Sequence, residues 1–228
     1  MHLLPTSLSA RVRRGARIGA LALASLGSFA VVTAVDAGSV SAQSAELPVN
    51  ALAPEIITAA TDAVAALDAY RLSGSVEDER TLAWHRAITA RYTAQQLGYD
   101  ELAMVDAWST APLGHQRAVL GALTQIGVPY RTNTSVEGEG FDCSGLTTYA
   151  WQGAGVELYR QSGTQISESE KLSKEDAKAG DLVHYPGHIM LYLGVDEAIV
   201  HAPQTGRTVE IDTVSRSSVS FGDPTVTG

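Results

Sequence analysis

From residue 47 to about 109, apolar positions recur every three or four residues, with little strand character. In LAPEIITAATDAVAALDAY, Ile56, Ile57, Ala60, Val64 and Leu67 fall at helical spacing behind Pro54, a residue suited to a first helical turn. RLSGSVEDE interrupts this with Gly74 and a small acid cluster. RTLAWHRAITARYTAQQLGY then resumes the pattern through Leu82, Ile88, Tyr92 and Leu97 and stops at Gly98. The spacing predicts a helical hairpin, followed by a short helix over about 101–108.

Pro112 and Gly114 mark a change of character. A helix is predicted over 115–127, then a loop to Gly140 and a second helix opening at Cys143. Short runs follow: DLVHY, HIMLYLGV, AIVHA and TVEI, each apolar or alternating and bounded by glycine, proline or charged turns. Helices first and antiparallel strands afterwards predict an α+β domain over 112–228, preceded by a helical region over 43–111. The tail over 215–228, rich in Ser, Thr and Gly, is expected to be loose at its end. No internal repeat is visible.

Residues 1–42 read differently. Arg11, Arg13, Arg14 and Arg17 precede an uncharged stretch over 18–35, and Val40 and Ala42 meet the small-residue rule for cleavage. That order describes a signal peptide for export, cut after Ala42, and is favoured over an uncleaved membrane anchor because Ala, Gly and Ser dilute the apolar run. Either way the remainder lies outside the cytoplasm. The full chain of 228 residues has a formal net charge of -9, which offers no electrostatic footprint for nucleic acid. With 45% hydrophobic residues it is too apolar for general disorder.

The chain holds one cysteine, so no internal disulfide framework exists. Cys143 is a buried apolar residue, half of an intermolecular bridge, or a working thiol. Asp142 is a natural N-cap for the helix that follows, and a helix N-terminus lowers a thiol's pKa, although the Asp142 carboxylate partly opposes this. Gly145 would let another backbone or a substrate approach closely. A nucleophilic thiol also needs a base. His2 leaves with the signal, and His85 and His115 read as solvated or packed helix histidines. His188 opens a strand after Pro186–Gly187, sharing one face with Met190 and Tyr192, while Ile189, Leu191 and Leu193 take the other. His201 ends the next strand, where two imidazoles can lie side by side. Zinc is the competing use of His and Cys, but the spacings match no zinc signature.

These pieces together resemble the NlpC-type cell-wall cysteine peptidases, a compact papain-like family. The matching segments are QIGVPY, GFDCSGLTTYAW, AGDLVHY, GHIMLYLG and IVHAPQTGRTVEI, in family order over about 113–215. The resemblance implies Cys143 as nucleophile, His188 as base and His201 as the polar residue orienting it. It also implies that Tyr130, Asp142 and Ser144 line a pocket for the free amine of a peptidoglycan stem peptide, cut between D-γ-glutamate and the diamino acid. No cofactor or metal is called for. There are departures. The loop YRTNTSVEGEG lacks the expected tryptophan and paired glycines, Tyr159 and Ala179 replace prolines, and His184 stands where an apolar residue is common. His184 reads as a strand residue packed beside the site. An amidase or acyltransferase on the same fold, or a non-catalytic wall-binding or scaffold protein, are the alternatives. Residues 43–110 could pack on the catalytic part, cover the groove, act as a spacer, or dock a wall or division-machinery protein, with packing ranked first and cover second.

Overall fold

The computed structural model describes residues 50–227, so the signal peptide expected over 1–42 lies outside the described residues. The helical hairpin is α1 (Ala53–Ser73) and α2 (Val76–Leu97), followed by α3 (Glu101–Thr110). Pro54 occupies the first turn of α1, and Gly74 and Gly98 end α1 and α2 in the left-handed conformation. Ser75 caps α2 and Asp100 caps α3, each side chain accepting from a backbone N–H of the first turn. The break between α1 and α2 is therefore only two residues long, which makes the helices antiparallel neighbours.

The two helices predicted beyond Pro112 are α4 (Leu113–Leu123), shorter than expected, and α5 (Cys143–Gly153). Between them β1 (Ser135–Val136) and β2 (Gly140–Phe141) form a small ribbon. A short helix α6 (Ser162–Ser167) and strand β3 (Ser169–Leu172) follow. Next come β4 (Leu182–Tyr185), β5 (His188–Tyr192), β6 (Ala198–His201) and β7 (Glu210–Thr213), which coincide with the four patterned runs. The architecture is thus α+β, with a helical N-terminal region and an antiparallel sheet.

The tail departs from expectation. Residues 220–227 form β8 (Ser220–Thr227), which lies inside the six-stranded sheet in the order β3-β8-β4-β5-β6-β7. Phe221 pairs with Val183 and Leu172 on either side, and its ring packs against Tyr192. The register shift where β3 meets the far end of β8 falls beside Pro224, which cannot donate to a ladder. Small polar residues and a proline concealed a strand whose order comes from being paired on both edges.

The predicted alternation along β5 holds. Ile189, Leu191 and Leu193 join the main core with α4 and α5, whereas Met190 and Tyr192 join Val183, Ile199 and Phe221 in a smaller cluster on the other face. The main core is continuous with the N-terminal helices: Ile56, Leu67, Leu82, Met104 and Trp108 are buried in it beside Leu120, Leu146 and Leu191. Trp108 Nε1–H donates to the Leu193 carbonyl at 2.8 Å, and Arg86 donates to Gln116 at 2.7 Å, fastening α3 to the end of β5 and α2 to α4. His115, on α4, is buried with Nε2 3.0 Å from Asp181 and 3.4 Å from Asp223, a polar tie from α4 to the sheet. The Asp181 and Asp223 carboxylates also accept from Lys178 N–H and from Thr225.

Candidate active site

Cys143 is the first residue of α5 and is half-buried, so the thiol is neither sealed in the core nor disulfide-bonded. Asp142 caps the helix. Its Oδ1 accepts from Gly145 N–H at 2.7 Å, and its Oδ2 accepts from Asn133 N–H at 2.7 Å. With Gly145 N–H claimed by the cap and Leu146 N–H by the Asp142 carbonyl, the N–H groups of Cys143 and Ser144 have no protein acceptor among the described residues. Two unclaimed donors at a helix N-terminus face whatever lies before it, in a field that favours negative charge.

Gly145 is fixed by a close approach. A Cβ built there would lie 2.0 Å from the Thr134 carbonyl oxygen, because the 132–134 loop crosses directly over the first turn of α5. Asp142 N–H donates back to Thr134 at 3.1 Å, so the loop with the unusual sequence is strapped to the helix start.

Tyr130 lies close to Cys143 and to its chain neighbours Asp142 and Ser144. Tyr130 is half-buried, and its phenol is pushed upward by burial and by the neighbouring Cys143 and Asp142. The structure adds a residue to this group. Arg160 donates to Asp142 Oδ2 at 2.7 Å and to Ser144 Oγ at 2.8 Å. The carboxylate therefore has an internal cation as partner, and each of its oxygens already has two donors, the fourth being Ser144 Oγ at 3.4 Å. Nearby, the buried Gln165 on α6 bonds Thr147, Thr148, the Ser144 carbonyl and the Tyr159 carbonyl, which holds the first turn of α5 in place.

The two histidines meet on the sheet. The turn at Pro186–Gly187, with Gly187 at φ 89, returns the chain so that His188 pairs with Tyr185 across β4 and β5. His188 Nε2 lies 2.9 Å from His201 Nδ1, with ring centroids 5.1 Å apart and the planes nearly perpendicular. α5 packs on β5 and β6, the strands that carry this pair. Burial lowers the His188 pKa to about 4, helped by the charges of His201, His184 and Arg216, so the imidazole is neutral at pH 7. His184 is half-buried on β4 and is itself lowered by burial, in keeping with a residue packed beside the site.

Behind His201 stands Glu210, its partner across β6 and β7. His201 Nε2 is 3.4 Å from Glu210 Oε1 and 4.0 Å from Asp212 Oδ2, and has no well-formed hydrogen bond. Glu210 is buried, and Arg207 grips both of its oxygens, through Nε at 3.2 Å and through Nη2. Burial alone would raise this carboxyl, but the nearby His201 ring and the bonds and charge of Arg207 bring it below the usual range. Neither Arg160 nor Glu210 was found by pattern reading. Arg160 is 18 residues from Asp142 and announces nothing, and only the β6–β7 hairpin register could have pointed to Glu210.

Among the described residues, two groups have a donor set that could take a metal: His115, Asp181 and Asp223, and His201, Glu210 and Asp212. In the first the oxygens are used by Lys178 and Thr225, and in the second Arg207 already neutralises Glu210. A cavity of about 390 Å³ lies elsewhere, lined by Thr61, Val64, Arg117, Glu137, Tyr149 and Gln152 among others, and none of the six candidate residues lines it. The thiol and the histidine pair mark the site by their chemistry.

A lone thiol on a capped helix start thus packs against the strands that bear a bonded pair of imidazoles. Residues 127–221 match the family model for the NlpC/P60 family, and this part of the chain is an NlpC/P60 domain. Among similar curated proteins, peptidoglycan endopeptidase RipA of Mycolicibacterium smegmatis is 31% identical over 114 residues, 43% of this chain and 23% of that protein. The gamma-D-glutamyl-L-lysine dipeptidyl-peptidase of Bacillus subtilis is 31% identical over 100 residues, 40% of this chain and 33% of that protein. The match thus spans about a quarter to a third of these relatives. Among solved structures, RipD of Mycobacterium tuberculosis, described as a non-catalytic NlpC/p60 domain protein adapted to peptidoglycan binding, is 28% identical. It covers 49% of this chain and 98% of its own, with a TM-score of 0.42.

Proposed function

We propose that this protein is an exported peptidoglycan hydrolase that cuts stem peptides by thiol chemistry, with Cys143 as nucleophile, His188 as base and His201 orienting it. The observation that carries the proposal is the buried, neutral His188 bonded to His201 at 2.9 Å, on strands against which the helix of the sole cysteine packs. A neutral imidazole can accept a thiol proton, whereas one already protonated cannot. His188 takes the Cys143 proton and the thiolate attacks the scissile carbonyl. The unclaimed N–H groups of Cys143 and Ser144 receive the oxyanion, and the amine leaves with the proton from His188. Water then hydrolyses the thioester.

The names of the relatives support a peptidoglycan substrate, and the dipeptidyl-peptidase supports the bond after D-γ-glutamate as the one cleaved. The pairing of Asp142 with Arg160 bears on how that substrate is held. An ammonium group reaching Asp142 competes with Arg160, so a free amine end gains less here than at an unpaired carboxylate. Export places the enzyme in the envelope, where this substrate is.

Cys143→Ala and His188→Ala should each abolish cleavage of purified peptidoglycan while keeping the circular dichroism of the parent. Iodoacetamide should label Cys143 far faster than a buried thiol, which separates an enzyme from a binding module. Mass analysis of products from defined stem peptides distinguishes endopeptidase from amidase or transferase chemistry. Full activity in either variant refutes the assignment.

A further inference from the structure

We infer that Glu210, held by Arg207, is a positioning residue that sets the tautomers of both histidines and thereby decides which nitrogen of His188 serves as the base. This rests on the peptidase function proposed above and extends it to a residue outside the nucleophile–histidine trio.

The derivation starts at the buried end. Glu210 is gripped by Arg207 on both oxygens and kept ionised, so it can only accept hydrogen bonds. The nearest unsatisfied polar atom is His201 Nε2, at 3.4 Å from Oε1. A lone pair on that nitrogen would face a buried carboxylate across a short gap, which is repulsive and leaves the nitrogen unsatisfied. His201 therefore carries its proton on Nε2. In the neutral ring, Nδ1 then holds the lone pair, so the 2.9 Å contact is His188 Nε2–H donating to His201 Nδ1. With its proton on Nε2, His188 keeps its lone pair on Nδ1, the nitrogen left to take the proton of the thiol.

The order of donors runs one way: His188 Nε2–H to His201 Nδ1, then His201 Nε2–H to Glu210. When His188 accepts the thiol proton on Nδ1, the positive charge spreads over its Nε2–H, which bonds more strongly to His201. The contact from His201 to Glu210 is long at rest, as such bonds often are before substrate binds, and can shorten as that charge develops. Asp212 also faces His201, at 4.0 Å, but is about half exposed and so offers a weaker and more mobile field. Other charged or titratable groups around the pair are His184 and Arg216, both acting on His188, and Tyr185, whose ring packs on His188 at 5.2 Å between centroids. The rival arrangement has His201 protonated on both nitrogens, donating from Nδ1 to His188 Nε2. That would put the remaining proton of His188 on Nδ1 and leave it unable to act as a base.

The test is ¹⁵N NMR of the full chain with labelled histidine at neutral pH, together with the pH profile of iodoacetamide labelling at Cys143. In the unsubstituted protein, His201 should show a protonated Nε2 and a lone-pair Nδ1, and His188 the same pattern. This measurement needs no variant, so misfolding cannot blunt it. In Glu210→Gln and Glu210→Ala the His201 signals should move toward a mixture of tautomers, and the labelling rate should fall by about tenfold or more. That is a fraction of the 10²–10⁴ a general base supplies. Glu210→Asp should recover part of both. A His201 with Nδ1–H in the unsubstituted protein overturns the inference, and so do variants with the parental spectrum and labelling profile. If the tautomers and labelling behave as stated but wall fragments stay intact, the substrate proposal fails and the role of Glu210 stands. If Glu210→Gln digests wall at the parental rate with unchanged tautomers, Glu210 falls and the peptidase stands.

Discussion

The depressed pKa of His188 makes a quantitative statement about acid stability. In the unfolded chain this imidazole titrates near its ordinary value of 6.5, whereas in the folded protein burial and its positive neighbours bring it to about 4. Between those values the unfolded state binds a proton that the folded state refuses, so stability falls as pH drops and is fully retained above 6.5. At about 1.4 kcal/mol per pH unit, the difference costs about 1.4 kcal/mol at about pH 5.5 and about 2.5 kcal/mol at about pH 4.5. The perturbation is His188→Gln, which keeps a polar group of similar size near His201 but cannot titrate. Urea denaturation of parent and variant at about pH 7.5, 5.5 and 4.5 gives the comparison, since acid effects from other groups are common to both. The parent should lose about 2–3 kcal/mol more than the variant across the series. Parallel losses would show that His188 is not held neutral by the fold. The base would then be protonated below its ordinary value, and the acid limb of peptidoglycan cleavage would lie near 6.5 and not near 4.

Other outcomes follow from the packing. Gly145→Ala puts a methyl into the Thr134 carbonyl, so the loop over α5 must move, at a cost of about 1–3 kcal/mol in urea denaturation and a loss of wall cleavage. Trp108→Ala empties a fully buried site and strips the Leu193 carbonyl of its donor, which should cost about 3–5 kcal/mol. A chain begun at Pro112 should fail to fold by circular dichroism, because the same core is built by α1–α3; a stable, cooperative unfolding transition would contradict this. Arg160→Met frees the Asp142 charge and should lower KM for stem peptides with a free amine by up to about fivefold. That corresponds to about 1 kcal/mol for an ion pair whose arginine is solvent-exposed, with N-acylated peptides unaffected.

The shared core alters how the N-terminal helices are weighed. Ile56, Leu67 and Trp108 are as deeply buried as Leu120 and Leu191, so packing accounts for these helices without a covering role. Their bonds to the rest run to Gln116, Arg117, Leu193, Ala154 and Ile211, on the α4 side and at element ends. The exposed Trp84 and Leu102 on this region are single side chains, which folded surfaces commonly carry.

What the sequence determined by itself is whatever depends on neighbours along the chain. Gly74, Gly98, Ser75 and Asp100 punctuate the first three helices within a turn of their ends, and short apolar or alternating runs mark β4 to β7. Asp142 before Cys143 places the thiol at a helix start, and Pro186–Gly187 before His188 places the imidazole at a strand start. Tertiary structure alone decided three things. The tail became β8 because its edges found β3 and β4, a pairing that no local propensity of Ser, Thr, Gly and Pro encodes. Arg160 reached Asp142 because α5 and the 154–161 segment fold back together. Glu210 came to stand behind His201 through the register of β6 on β7. Caps and alternation are enforced by bonds and faces a few residues apart, whereas strand order and buried ion pairs are chosen by the competition of distant segments for one another's hydrogen bonds and charge.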